Sequence, residues 1–202
     1  LDNYLLAPGE EFSFNKVVGP RTKEAGYNDA PIILNNKFVE GVGGGVCQVS
    51  STLYNVLLRT NLTITERHPH SLPVEYVPKG MDASVVYGLK DLKFINNTKG
   101  HLLFKTYVGQ GSLTVKLFGS AEEEHNIEVV SIIEKTFVPK TIVKTKEDLL
   151  IGQVVVEQHG VEGYLVRVER IIKDKNQKIL VREILSRDYY PPIDKVILMA
   201  KG

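Results

Sequence analysis

One stretch of the chain carries apolar residues at helical spacing: Val49, Leu53, Val56 and Leu57 recur through residues 47–59, a run without Pro or Gly. It predicts a helix with one buried face that starts at or just before Cys47. Most of the remaining pattern alternates or clusters β-branched residues. Short strands are expected around Pro8-Gly9-Glu10-Glu11-Phe12-Ser13-Phe14, with turn chemistry at Gly19-Pro20 and Asn35-Asn36. Leu62-Thr63-Ile64-Thr65 is a further strand signal. Apparent strands at 83–87, 91–95, 102–107 and 113–118 are divided by Asn96-Asn97-Thr98-Lys99-Gly100 and Gly109-Gln110-Gly111. Separators that short predict an antiparallel β-meander. From Asn126 onward β-branched runs at 127–133, 141–144, 153–157, 164–172, 179–184 and 196–199 predict an elongated all-β module. The expected class is α+β: a mixed domain over residues 1–124, with the helix and the meander, followed by the β module over 125–202.

The 202 residues are 43% hydrophobic and 24% charged, the balance of a folded chain and not of a disordered one. Twenty-five basic residues against twenty-four acidic ones leave a formal charge of +1, which argues against nucleic acid as a partner. A single cysteine excludes an internal disulfide framework and any Cys-rich metal site. No apolar run approaches the roughly 20 residues that cross a bilayer. A chain opening on Leu1 is expected to be a piece of a longer or processed protein, attached to a membrane only if a missing N-terminal anchor does so.

Chemistry concentrates at Gly43-Gly44-Gly45-Val46-Cys47-Gln48. Glycines allow close backbone approach to a ligand, and the first turn of a helix offers unpaired N–H groups and partial positive charge. A thiol there ionises readily, and Gly44, Gly45, Gln48 and the N–H of Cys47 are candidates to hold substrate or an oxyanion. Such a nucleophile needs a base and a group that orients it. In Glu66-Arg67-His68-Pro69-His70-Ser71, both His68 and His70 qualify, and spacing does not choose between them. Asp82 and Glu66 are candidate orienting acids, and Arg67 is suited to hold a carboxylate. Tyr4, Tyr27, Tyr54, Tyr76 and Tyr87 are candidates to line a groove. No metal-ligand set and no cofactor motif emerges.

Pro8-Gly9-Glu10-Glu11-Phe12-Ser13-Phe14-Asn15, Val18-Gly19-Pro20-Arg21-Thr22, Gly43 to Asn55, and Glu66 to Val74 together resemble, in the same order, the VanW domain of bacterial cell-surface proteins. The second module resembles the G-five domain, which is associated with polymers containing N-acetylglucosamine. Some VanW proteins are L,D-transpeptidases that form 3-3 cross-links in peptidoglycan through a cysteine. The resemblance implies Cys47 as nucleophile and His70 as base, with Arg67, His68 and Ser71 in the same motif. It also implies Asp82 as a third catalytic residue, an extracellular wall location, and stem peptides and glycan as partners. The alternatives are a non-catalytic wall-binding or scaffold protein, and a cysteine peptidase or carboxypeptidase acting on stem peptides.

Overall fold

The computed structural model describes residues 1–34, 37–120 and 126–201. Its elements run β1 (Leu5–Leu6), β2 (Glu11–Ser13), α1 (Phe14–Val18), β3 (Asp29–Leu34), β4 (Lys37–Val42), α2 (Val46–Leu57), β5 (Thr63–Glu66), β6 (Lys93–Ile95), β7 (Leu102–Gly109) and β8 (Ser112–Phe118). There follow β9 (Asn126–Phe137), β10 (Thr141–Lys146), β11 (Val154–Gln158), β12 (Gly163–Lys173), β13 (Ile179–Tyr190) and β14 (Lys195–Ala200). The expected α+β class is therefore corrected: the chain is mostly β, assembled from several small sheets, with helix among the described residues confined to α1 and α2. The expected boundary at 124/125 lies outside the described residues.

The expected meander is replaced by two separate sheets. Strand β6 lies between β2 and β5, whereas β7 lies between β1 and β8. Asn96 turns the chain from one sheet to the other: its buried amide donates to the carbonyls of Leu6 and Gly100, and its backbone N–H to that of Glu10. Residues 83–87 form no ladder strand, and side chains of α2 hold the backbone of Ala83 instead. Ser50 Oγ donates to the Ala83 carbonyl at 2.6 Å, and Ser51 Oγ accepts from the Ala83 N–H at 2.9 Å. Asn55 reaches the Met81 carbonyl at 2.7 Å, and the Ser84 N–H donates to the His68 carbonyl. Buried backbone groups need partners, and here those partners are not a second strand.

Three phenylalanines bring the two sheets together. Phe12 of β2 stacks on Phe94 of β6 at 4.8 Å between centroids and on Phe104 of β7 at 5.6 Å. Helix α2 buries Leu53, Tyr54 and Leu57 in the same core. Val168 of β12 joins that core from the C-terminal half of the chain.

The C-terminal strands form two three-stranded sheets, β13-β12-β9 and β10-β14-β11. In the first, Val166 pairs with Asp188 and Val168 with Ser186. Directly opposed residues share a face, so this face presents valines and polar groups side by side. Residues 79–82 lie against it. Ser131 Oγ donates to the Lys79 carbonyl at 2.6 Å, and Arg170 donates to the Thr60 carbonyl. Gly80 has φ +83°, and a Cβ there would lie 2.7 Å from Val168 Cγ2. Gly80→Ala therefore combines a left-handed backbone with overpacking, and denaturant unfolding is expected to register a loss of about 2–4 kcal/mol.

Candidate functional site

Cys47 is the second residue of α2, and the loop before it is shaped by its glycines. A Cβ on Gly44 would lie 2.4 Å from Ala30 Cβ and 2.7 Å from the Ala30 carbonyl carbon, so only glycine lets the loop pack against β3. Gly45 is the N-cap at φ +87° and supplies no side-chain cap. Its carbonyl accepts the N–H groups of Gln48 and Val49, and the Gly43 carbonyl accepts that of Val46. No backbone carbonyl among the described residues accepts the N–H of Cys47, which remains one of the unpaired donors of the first turn.

The sulfur is partly buried, 3.6 Å from the Val85 carbonyl oxygen. Burial opposes the thiolate. The His70 imidazole outweighs it, Arg21 adds its positive charge, and the thiol is held below its ordinary value. His70 is 6% exposed, and its Nδ1 lies 2.5 Å from Asp82 Oδ2. The backbone N–H of His70 donates to the same oxygen at 2.6 Å, so one carboxylate oxygen fixes both the residue and its ring. Burial again works against the charged ring, but Asp82 and Cys47 overcome it and push the His70 pKa up to about 9. With Nδ1–H committed to Asp82, the neutral ring presents Nε2 as its free acceptor. Tyr76 places its hydroxyl 3.5 Å from that nitrogen.

Asp82 is 1% exposed. Its Oδ1 accepts from Tyr190 Oη at 2.5 Å and from Arg67 Nη2 at 3.2 Å. Burial favours the neutral acid, and His70, Arg67 and Tyr190 together hold it below the usual carboxylate range instead. Arg67 also donates to the carbonyls of Asp82 and Gly80, and its Nη1 reaches both oxygens of Asp188 at 2.6–2.7 Å.

Of the residues singled out in the sequence, the fold brings Cys47, His70 and Asp82 together. Gly44 and Gly45 shape the approach to them. Gln48 is exposed on the first turn, and Ser71 is half-buried beside His70. His68 pairs through Nε2 with Glu66 at 3.1 Å, and Glu66 also holds Lys93, so both are occupied away from the thiol. Arg67 stands behind Asp82 with its guanidinium buried, and the carboxylates it holds are those of Asp82 and Asp188. Tyr54 is in the core, whereas Tyr76 and Tyr87 are exposed near the site. Arg21 lies over the rings of Phe14 and Tyr87, donates to Asn15 at 2.7 Å, and has no carboxylate in ion-pair contact among the described residues. Among the described residues no group of three or more His, Cys, Asp or Glu is arranged to hold a metal. Asp188 and Tyr190 went unnoticed in the sequence because nothing local distinguishes them from other polar positions of a long strand.

Residues 128–199 match the G5 domain, a module associated with binding extracellular or cell-surface components. The chain is 46% identical over 120 residues to the uncharacterized protein YoaR of Bacillus subtilis (strain 168), covering 59% of this chain and 40% of that one. It is 39% identical over 103 residues to the Vancomycin B-type resistance protein VanW of Enterococcus faecalis (strain ATCC 700802 / V583), covering 48% and 38% respectively. The chain thus spans about 40% of the length of these relatives. Two solved G5 structures resemble it in part. HP0197-G5 has TM-score 0.24 and 15% identity, covering 39% of this chain and all of its own. The IgA1 protease G5 domain has TM-score 0.29 and 23% identity, covering 41% of this chain and 98% of its own. A VanW-like domain together with a G5 domain indicates a cell-wall-associated protein. Residues 1–118, more than half of the chain, match the VanW like protein model, and the chain belongs to that family.

Proposed function

We propose that the chain is a cysteine-dependent L,D-transpeptidase of peptidoglycan, built as a catalytic domain over residues 1–124 and a wall-binding β module over 125–202. The observation that carries this reading is the line from the thiol at the start of α2 through the buried His70 ring to the buried Asp82 carboxylate. Nucleophile, base and orienting acid stand in the order that acyl transfer requires.

The Cys47 thiolate attacks the carbonyl carbon between an L-centre and the terminal D-residue of a stem peptide. The unpaired N–H of Cys47 and the positive end of the helix stabilise the oxyanion. His70, protonated at Nε2, gives its proton to the departing amine, the C–N bond breaks, and a D-amino acid leaves behind a thioester. An amine of a neighbouring stem then attacks, its proton passes to His70, and the C–S bond breaks to release the new amide and the thiolate. Asp82 keeps Nδ1 protonated through both halves and stabilises the imidazolium.

Tetrapeptide muropeptides incubated with the full chain are expected to yield cross-linked dimers, and Cys47→Ala is expected to yield none. Equal product from both, or product from neither, overturns the enzyme reading in favour of a wall-binding scaffold. Trimming without dimers favours a carboxypeptidase.

The lowered thiol predicts that iodoacetamide alkylation of Cys47 stays fast as pH falls through about 8.5, where an ordinary cysteine slows. A rate-against-pH profile with its midpoint at about 8.5 contradicts the lowered thiol.

Asp82→Asn is expected to lower turnover about a thousandfold or more, because the ring loses the partner that fixes its tautomer. It also removes the buried negative charge that Arg67 and Tyr190 share with His70, at about 3–5 kcal/mol in unfolding experiments at neutral pH. The folded-state pKa of Asp82 lies below the ordinary aspartate value of 3.8. Its stabilisation is therefore present above that value and is lost as pH falls through the lowered one. The acid limb of stability against pH is expected to flatten in Asp82→Asn.

A further inference from the structure

We propose that the C-terminal strands complete the candidate site, with Tyr190 and Asp188 of β13 acting as positioning residues that aim Asp82 at His70. The inference rests on the catalytic reading of Cys47, His70 and Asp82. It changes the role of the C-terminal half from a wall-docking appendage to a structural part of the reacting centre.

Asp82 belongs to no strand and follows Gly80 in an extended segment, so its position depends on what that segment is tied to. Tyr190 provides one tie. Its hydroxyl accepts the Gly80 N–H at 2.9 Å and donates to Asp82 Oδ1 at 2.5 Å, so one fully buried side chain fixes both the backbone and the carboxylate. The ionised carboxylate only accepts, so the hydroxyl proton points at Asp82.

Asp188 provides the other tie through charge. Arg67 and His70 both compete for Asp82. With a single carboxylate between them, the guanidinium would draw Asp82 away from the ring. Asp188 holds Arg67 Nη1 through both of its oxygens, and Ser186 Oγ donates to Asp188 Oδ2 at 3.2 Å. Only Nη2 is left to touch Asp82 Oδ1, while Oδ2 is given wholly to the His70 ring and its N–H. The Arg67 and Asp188 side chains are each 7% exposed, so solvent does little to dilute this balance.

The charged and titratable groups that bear on the ring are Cys47 from α2, with Arg21 beside it, Tyr76 from the segment after His70, and Asp82, with Arg67, Asp188 and Tyr190 behind it. Without Asp188, Arg67 carries an uncompensated positive charge next to the imidazolium. Without the Tyr190 hydroxyl, Asp82 is free to turn toward Arg67. Both changes disfavour the protonated ring.

The test is an NMR titration of the His70 ring C–H in the full chain, assigned by its absence in His70→Gln and paired with thermal unfolding. Asp188→Asn and Tyr190→Phe, which keep side-chain size, are each expected to lower the His70 midpoint by about one pH unit from the wild-type value near about 9. Asp188→Glu, which keeps the charge, is expected to recover part of that shift. Tyr189→Phe, on the exposed neighbour, is expected to leave the midpoint unchanged. A lower melting temperature with the midpoint unmoved in both Asp188→Asn and Tyr190→Phe means a merely structural role and overturns the inference. Should either variant not fold, the other and the milder Ser186→Ala, expected to shift the midpoint in the same direction by less, decide it alone. Dimer formation by the wild type is scored separately. A shifted midpoint with no product sustains the positioning and removes the catalytic reading, whereas product with an unmoved midpoint does the reverse.

Discussion

The carboxylate of Asp82 is the hub of the candidate site. It is buried almost completely, which by itself would make it a neutral acid, and it is kept charged by three residues converging from two separate stretches of chain. His70 supplies a ring nitrogen and a backbone N–H, Arg67 a guanidinium, and Tyr190 a hydroxyl. A buried charge is tolerated only when it is this fully paired, and removing any donor leaves the rest of the cluster out of balance. The elevated proton affinity of His70 draws on that anion together with Cys47, and the depressed one of Cys47 draws on His70 and Arg21.

The small sheets make sense as the frame around this cluster. Strands β2, β5 and β6 carry the backbone that enters α1 and leaves α2, while β1, β7 and β8 close the aromatic core beneath. Helix α2 does two jobs at once: its apolar side chains enter that core, and its serines and Asn55 clamp the segment that delivers Asp82. Polar groups on the buried face of a helix are costly unless satisfied, and here each finds a backbone partner.

Local features were legible where a local cause fixed them. The helix could be read from Val49, Leu53, Val56 and Leu57, and the thiol at its start from the glycines before it. The choice of His70 over His68 could not be read from spacing, because it depends on whether the ring meets Asp82 or Glu66, and those contacts span the fold. A strand as short as Leu5–Leu6 holds too few residues for a two-residue period to register. Residues 83–85 are buried and read as part of a strand, yet the backbone of Ala83 is held by side chains of a helix. Asp188 and Tyr190 meet the site from more than a hundred positions away, a distance at which sequence pattern carries no signal.

The 108-residue separation between Asp82 and Tyr190 also has a bearing on how the chain is made. Synthesis delivers Cys47, His70 and Asp82 well before the strand that carries Tyr190, and closing so wide a loop is entropically expensive until both ends are present. Until that strand docks, a nascent chain lacks the hydroxyl that ties the Gly80 backbone to the Asp82 carboxylate.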